Sequence, residues 1–265
     1  MQTKRFRISA LAATLLAGAL PLCAEQAAKP AVVPSGISSS GLEVLSGAKT
    51  ALRKGDKIAF FGDSITMQGG YITLIESSLK EGAGTKDLGI RIFKHGLNGG
   101  RVPTVLEGKS PWGDLKGTMQ EHIDKEQPTV VVVFLGVNDV EHGAKGTSKE
   151  DFGKGLQQMV EMGRKAGAVV VLGTPGVVGE KKPGTNRCDP GLDEYSGVVR
   201  ELAGRNHLAF CDIRKAMFEY LADHNPENKD KGILTYDGIH FSALGNALTG
   251  NLVAKGIAEA VAAGK

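Results

Sequence analysis

Aromatic residues and cysteines are both scarce in this chain. Aromatic residues make up 5% of its 265 residues, and the one tryptophan is Trp112. Because hydrophobic residues nevertheless reach 41%, we expect a core built from aliphatic side chains. The three cysteines are Cys23, Cys188 and Cys211. Cys23 lies in the N-terminal segment. For the other two, the sequence allows either one disulfide bond or two unpaired thiols, since only geometry can decide.

The chain also has no run of basic residues, and its formal net charge is only +3. Several of the positive charges fall near the N-terminus, so the remainder is close to neutral. Without a basic stretch, nucleic acid is excluded as a partner. The glycine-rich stretch Gly96-Leu97-Asn98-Gly99-Gly100 has neither a G-x-G-x-x-G nor a Gly-Lys-Ser/Thr pattern, which argues against a dinucleotide or phosphate loop there.

The N-terminus is typical of a secretory signal peptide. Basic residues precede an apolar run over residues 8–20, which is too short to span a bilayer comfortably. We therefore predict a signal peptide over residues 1–24, export to the periplasm or the medium, and no stable membrane insertion after its removal. A membrane anchor and a lipoprotein attached through Cys23 fit the segment less well, and the cleavage site is left open.

Two further segments follow the predicted signal peptide. Residues 25–47 are rich in Ala, Pro, Ser and Gly, which predicts a flexible lead-in. Residues 48–265 have the length of one α/β domain, and no internal repeat divides them.

Apolar runs and helical spacing alternate along this domain. We predict strands at residues 57–61, 89–94, 129–135, 168–172 and 208–211. We predict helices at residues 71–79, 115–126, 149–165, 192–205, 213–222 and 243–262. Strands buried on both faces and alternating with helices indicate a parallel sheet. With right-handed crossovers, the result is a three-layer α/β/α sandwich.

Four short motifs stand out against this background. They are Gly62-Asp63-Ser64, Gly96-Leu97-Asn98-Gly99-Gly100, Gly136-Val137-Asn138-Asp139 and Asp237-Gly238-Ile239-His240. The first three each follow a predicted strand. Because ligands of parallel sheets bind outside the carboxyl ends of the strands, these motifs should meet at one edge.

The first and last motifs contain the parts of a nucleophilic hydroxyl site. Ser64 is the candidate nucleophile, and His240 is the candidate base that removes its proton. Asp237, three residues before His240, can bond to the imidazole Nδ1 and leave Nε2 free. Taken singly, each motif also fits an ordinary turn or a helix cap.

The middle motifs offer donors for a developing negative oxygen. Glycine at position 99 lets its N–H approach a substrate closely, and Asn138 carries a side-chain NH₂ group. Together with the backbone N–H of Ser64, they form a candidate oxyanion hole. Asp139 is expected to hold its loop through bonds to the backbone.

The four motifs in this order resemble the SGNH hydrolases of the GDSL lipase/esterase superfamily. The resemblance runs from about Lys57 to about Leu248. It implies a flavodoxin-like α/β/α fold and ester cleavage through an acyl-serine intermediate. It also implies Ser64, Asp237 and His240 as catalytic residues, with Ser64, Gly99 and Asn138 forming the oxyanion hole. No metal or organic cofactor is expected.

This chain departs from the pattern of the superfamily at two positions. Ile65 replaces the leucine of many lipolytic members, a change similar to carbohydrate-active branches. Lys94 stands two residues before Gly96, where many members have asparagine. It should leave the chemistry unaffected but can alter how the second loop is held.

The segments expected at the rim of the site are polar. They cover residues 109–114 and 180–187, and a lone tryptophan among polar groups suits the face of a sugar. Possible substrate contacts are Asp63, Arg101, Trp112 and His142, although Arg101 and His142 also fit solvated surface positions. We therefore expect an acylated small molecule or glycan as substrate, with O-deacetylation of a carbohydrate as the reaction.

Two alternatives remain open at this point. One is a lysophospholipase or thioesterase that uses the same catalytic groups. The other is a non-catalytic carbohydrate-binding protein on the same fold. The acyl chain, the sugar and the oligomeric state are not determined by the sequence.

Overall fold

The computed structural model describes residues 33–141 and 146–264. Its strands are β1 (Lys57–Gly62), β2 (Arg91–Gly96), β3 (Lys109–Ser110), β4 (Gly113–Asp114), β5 (Val130–Phe134), β6 (Val169–Gly173) and β7 (Ala209–Cys211). Five of them form one sheet in the order β2-β1-β5-β6-β7, and every neighbouring pair is parallel. Strands β3 and β4 form a separate small hairpin. The predicted signal peptide and His142 lie outside the described residues.

Ten helices accompany the sheet in the described part of the chain. They are α1 (Ser40–Ser46), α2 (Ser64–Gln68), α3 (Gly70–Glu81), α4 (Val102–Glu107), α5 (Met119–Glu126), α6 (Val137–Glu141), α7 (Lys149–Lys165), α8 (Asp189–Arg205), α9 (Ile213–His224) and α10 (Ala243–Ala263). All six predicted helices are present. Two of the longest begin at good N-caps: Ser148 caps α7 and Ser242 caps α10 through their side chains.

The sheet separates two hydrophobic cores. Along β1, Ile58 and Phe60 point to one core, and Ala59 and Phe61 point to the other. Successive side chains of a strand face opposite sides of the sheet, so a strand covered on both faces is apolar throughout. Helices α1, α3, α9 and α10 cover the first face, and α4, α5, α7 and α8 cover the second. The predicted three-layer α/β/α sandwich is therefore confirmed.

The edge strand β2 differs from its predicted span. It runs from Arg91 to Gly96 rather than over residues 89–94, because it pairs with β1 up to Gly62↔Gly96. The pairing register thus carries β2 up to the second motif. This edge strand contains both polar and apolar residues, and most of them are at least partly exposed. The apolar pattern of the sequence therefore does not define where the strand begins and ends.

Part of the predicted flexible lead-in is helical. Within residues 25–47, Ser40–Ser46 form α1, which buries Leu42 and Leu45. The Asn251 side chain on α10 accepts a hydrogen bond of 2.7 Å from the N–H of Gly41. Docking onto α10 thus stabilises a helix whose short sequence would be marginal alone.

The thiols of Cys188 and Cys211 are both buried and both free, so the possible disulfide bond is not formed. Cys211 belongs to the core beneath α10, whereas Cys188 packs with Val137, Val178 and Leu192. Across residues 33–141 and 146–264, we find no helix long and apolar enough to cross a membrane.

Candidate active site

Ser64 lies at a tight turn between a strand and a helix. Strand β1 ends at Gly62, and Ser64 is the first residue of α2. A Cβ atom on Gly62 would lie 2.1 Å from Thr66 Oγ1 and 2.7 Å from the carbonyl oxygen of Phe134. Only glycine therefore fits this turn, and the turn places Ser64 at the carboxyl edge of the sheet.

Asp63 caps helix α2, and its burial argues against the possible substrate contact expected from the sequence. Its carboxylate accepts a 2.9 Å hydrogen bond from the N–H of Ile65. The residue is 2% exposed, so it is closed off from a substrate. Burial raises the pKa of Asp63 to about 7, and the nearby Asp139 adds to the rise.

The structure brings Ser64, His240 and Asp237 into one hydrogen-bonded chain. Ser64 Oγ lies 2.9 Å from His240 Nε2, although 176 residues separate the two in sequence. His240 Nδ1 lies 2.7 Å from Asp237 Oδ2. A carboxylate can only accept, so Nδ1 carries the proton and Nε2 is free to accept the hydroxyl proton of Ser64.

The loop that carries Asp237 and His240 is held by its own carboxylate. Asp237 Oδ1 accepts hydrogen bonds of 2.9 Å and 2.8 Å from the N–H groups of Ile239 and His240. Partial burial raises the pKa of Asp237, but these hydrogen bonds and the His240 side chain outweigh it and hold the pKa below its usual value. Asp237 is therefore ionised at neutral pH.

Gly99 adopts a backbone conformation that favours glycine, with a φ of 61°. A Cβ atom there would come within 2.2 Å of Trp112 Cε3. The indole ring on the β3–β4 hairpin thus packs directly against the second motif. Both the φ angle and this contact require glycine at position 99, and Trp112 braces the loop from outside.

Asn138 and Asp139 have different environments at the start of α6. Asn138 Nδ2 donates a 3.1 Å hydrogen bond to the carbonyl oxygen of Gly100, which ties the third motif to the second. Asp139 is buried, and its Oδ1 accepts a 3.0 Å hydrogen bond from the N–H of Val102. This is the structural function expected for Asp139. Burial raises its pKa to about 6, and the charge of Arg101 opposes the rise.

The surroundings of the Ser64–His240–Asp237 chain are mostly polar. Trp112 is 60% exposed, while Arg101 is half-buried at the start of α4. A cavity of about 510 Å³ adjoins Asp237 and is lined by Lys181, Arg187 and Asp230, among others. Lys94, the departure from the family pattern, forms an ion pair of 3.2 Å with Glu76 on α3.

Glu180 is a buried anchoring residue that the sequence did not single out. It begins a segment expected at the polar rim, yet it is only 1% exposed. Its Oε2 accepts a 2.9 Å hydrogen bond from the N–H of Ile233. Its Oε1 accepts from both the N–H and the hydroxyl of Thr235. These bonds anchor the segment that leads into Asp237, and no local pattern in a run of charged residues signals them.

We expect Glu180→Gln to lower both stability and turnover. The amide offers one acceptor oxygen where the carboxylate offers two, so a buried N–H of Ile233 or Thr235 loses its acceptor. An unsatisfied buried donor costs about 1–3 kcal/mol. Urea unfolding should show this loss in the free energy of unfolding. Ester hydrolysis should slow because the loop bearing His240 is loosened.

Glu219→Gln is the matched control for this substitution. Glu219 lies on α9 and pairs with Lys215 at the surface, where its side chain is 62% exposed. The free energy of unfolding should change by less than about 0.5 kcal/mol. Equal effects of the two substitutions would contradict the anchoring function of Glu180.

Comparison with known proteins shows the family to which the chain belongs. Residues 60–248 match the model of the GDSL-like Lipase/Acylhydrolase family. An acetylxylan esterase from Geobacillus stearothermophilus is 25% identical over 217 residues, which cover 73% of this chain and 90% of that protein.

Solved structures show the same fold. An acetyl xylan esterase, AlAXEase, is 33% identical, with a TM-score of 0.64 over 74% of this chain and 97% of its own. An alpha/beta hydrolase enzyme from the metagenome of Lake Arreo, Spain, is 21% identical, with a TM-score of 0.63 over 78% of this chain and 98% of its own. The second likeness concerns the fold alone. The family model covers every candidate catalytic residue, and the chain is a member of the GDSL-like lipase/acylhydrolase family and a carboxylic ester hydrolase.

Proposed function

We propose that this protein hydrolyses esters through Ser64 and removes O-acetyl groups from a carbohydrate. The observation that carries the chemistry is the hydrogen-bonded chain from Ser64 Oγ through His240 to Asp237. In the first step, Ser64 Oγ attacks the ester carbonyl carbon as His240 Nε2 takes the hydroxyl proton. Ionised Asp237 stabilises the imidazolium that forms.

The negative charge that develops on the carbonyl oxygen requires donors already in place. The backbone N–H groups of Ser64 and Gly99 and the side-chain amide of Asn138 are the proposed donors. Asn138 donates one side-chain N–H to the carbonyl oxygen of Gly100, which fixes the orientation of its amide. The second N–H therefore remains for the oxyanion. Such prearranged donors need no reorganisation at the moment of reaction.

The first tetrahedral intermediate then breaks down to an acyl-enzyme, which water hydrolyses in a second stage. His240 gives its proton to the leaving sugar oxygen, which departs and leaves an acyl group on Ser64. A water molecule next attacks the acyl carbon while His240 removes its proton. The second tetrahedral intermediate releases the carboxylic acid and restores the Ser64 hydroxyl. Apart from this water molecule, the steps use side chains and backbone groups of the described residues.

Three features support a carbohydrate as the substrate. Two similar proteins are named as acetylxylan esterases. Trp112 is exposed beside Gly99 and presents an aromatic surface on which a sugar ring can stack. The cavity next to Asp237 is lined by charged side chains rather than by a large apolar surface. A fatty acyl chain would find little apolar surface there.

We expect a strong preference for acetyl over long acyl chains. With p-nitrophenyl esters, kcat/KM for the acetate should exceed that for the dodecanoate by about 100-fold, a difference of about 2.7 kcal/mol in transition-state binding. The same enzyme should release acetate from acetylated xylan, and acetylated pectin, peptidoglycan and sialic acid form the comparison panel. Faster hydrolysis of the long-chain ester would instead favour a lysophospholipase or thioesterase.

We also propose that the protein is exported. The support is the predicted signal peptide over residues 1–24, with its basic start and its apolar run over residues 8–20. N-terminal sequencing of the protein secreted from its native host would test this, since export by this route requires a mature N-terminus near residue 25. Recovery of the protein only inside the cells, with Met1 intact, would contradict export.

A further inference from the structure

A cluster of two histidines and one glutamate lies apart from the Ser64–His240–Asp237 chain. His95 is on the edge strand β2, one residue before the second motif begins, and His122 and Glu126 are one turn apart near the end of α5. Each residue offers one ligand atom, and these three atoms all lie within 4.8 Å of one another. The cluster thus joins an edge strand to a helix that covers it.

The glutamate carboxylate faces both imidazole rings. His95 Nε2 lies 2.9 Å from Glu126 Oε2, and His122 Nδ1 lies 3.8 Å from Glu126 Oε1. The two ring centroids are 4.1 Å apart. Phe61 stacks on the other face of His95, with the ring centroids 4.7 Å apart, and fixes its orientation. One ion between these groups would need only small movements of the side chains.

A second contact determines which nitrogen of His122 carries its proton. His122 Nε2 lies 2.9 Å from the carbonyl oxygen of Leu115. A carbonyl oxygen can only accept, so Nε2 carries a proton, and in the neutral ring Nδ1 then presents its lone pair to the cluster. Histidines that bind metals commonly donate their other N–H to a carbonyl or carboxylate in this way. This contact is therefore a feature of a prepared ligand.

The cluster is also largely shielded from solvent. The side chains of His95, His122 and Glu126 are only 9%, 14% and 11% exposed. The nearby Lys57 ammonium donates to the backbone carbonyl of Glu126 at 2.9 Å, so the carboxylate is left to the histidines.

We propose that His95, His122 and Glu126 bind a single Zn²⁺ ion, with water completing a tetrahedral site. Two imidazole nitrogens and one carboxylate oxygen are a donor set that suits zinc, whereas Ca²⁺ and Mg²⁺ prefer oxygen ligands alone. On binding, the His95 proton moves from Nε2 to Nδ1, and the ion replaces the His95–Glu126 hydrogen bond. The ion would join β2 to α5, one residue before the motif that carries Gly99.

The test uses the full chain after metal removal by a chelator. Titration with Zn²⁺ alone, followed by calorimetry, should show one ion per chain and a higher Tm, since a ligand of the native state stabilises it. Co²⁺ should give the intense visible absorption of a tetrahedral site with nitrogen ligands. The substitutions His122→Gln and Glu126→Gln should each weaken Zn²⁺ binding by more than about 100-fold.

Two other histidine substitutions are the controls. His224→Gln removes an exposed histidine that stacks on Tyr220, and His240→Gln removes the imidazole next to Ser64. Both variants should bind Zn²⁺ as the unmodified protein does. Absence of saturable binding to the unmodified protein would overturn the proposal, and this measurement needs no variant to fold. Loss of binding in His240→Gln with full binding in His122→Gln would also overturn it.

Discussion

Ser64→Ala is expected to lower kcat for acetyl ester hydrolysis by a factor on the order of 10⁶, because loss of the nucleophile removes the covalent route entirely. The Ser64 side chain is at the surface end of α2 and its hydroxyl contacts His240, so its removal leaves the fold intact. Thermal unfolding should therefore shift by less than about 2 °C. The measurement is the initial rate with p-nitrophenyl acetate beside a melting curve of the same sample.

Covalent labelling separates this expectation from a binding protein without activity. A fluorophosphonate should add one phosphonyl group per chain, and mass spectrometry of the peptides should place it on Ser64. Ser38→Ala is the control, since Ser38 lies in the exposed stretch before α1 and should label like the unmodified protein. Retention of more than a trace of activity in Ser64→Ala would end the assignment of Ser64. Absence of any adduct would favour a carbohydrate-binding protein.

His240→Ala and Asp237→Asn should differ in severity. Loss of the base should lower kcat about as much as loss of the nucleophile, on the order of 10⁶-fold. Asp237→Asn should leave weak activity, with kcat lowered about 10⁴-fold, because the amide favours the wrong tautomer of His240 while the other groups still act. The readout is kcat at saturating p-nitrophenyl acetate for His240→Ala, Asp237→Asn and the unmodified protein.

A matched control is available for the histidine. His224→Ala changes an exposed imidazole on α9 whose Nδ1 contacts the backbone oxygen of Tyr220. Its kcat should equal that of the unmodified protein. If Asp237→Asn were as active as the unmodified protein, the 2.7 Å contact between Asp237 and His240 would have no function in the reaction.

The long helices and the buried strands were predictable, because burial determines the spacing of their apolar residues. Val130–Phe134 is apolar at every position, since helices cover both faces of the sheet. The helix Lys149–Lys165 begins after a serine cap and has regularly spaced apolar residues, because one of its faces is buried. By contrast, α1 was not predicted, because its stability comes from contacts with α10, more than 200 residues away.

The residues of the candidate site likewise fall into those that the sequence predicts and those that it does not. Ser64, Gly99, Asn138, Asp237 and His240 were recognisable because each stands in a short motif whose order along the chain is informative. Asp63 was not separable from a substrate contact, since only its burial and its bond to Ile65 show that it caps a helix. Glu180 has no motif, and its donors at Ile233 and Thr235 are more than 50 residues away.

By itself the sequence determined the layered architecture and predicted the reactive groups, because local patterns of burial and short motifs express both. Tertiary structure alone decided which polar side chains are buried anchors and which face solvent. It also decided that Cys188 and Cys211 stay apart, and that two histidines and a glutamate from β2 and α5 converge. The physical reason is the same in each case. Solvation and hydrogen bonding of a side chain depend on neighbours that are distant in sequence, and only folding brings them within reach.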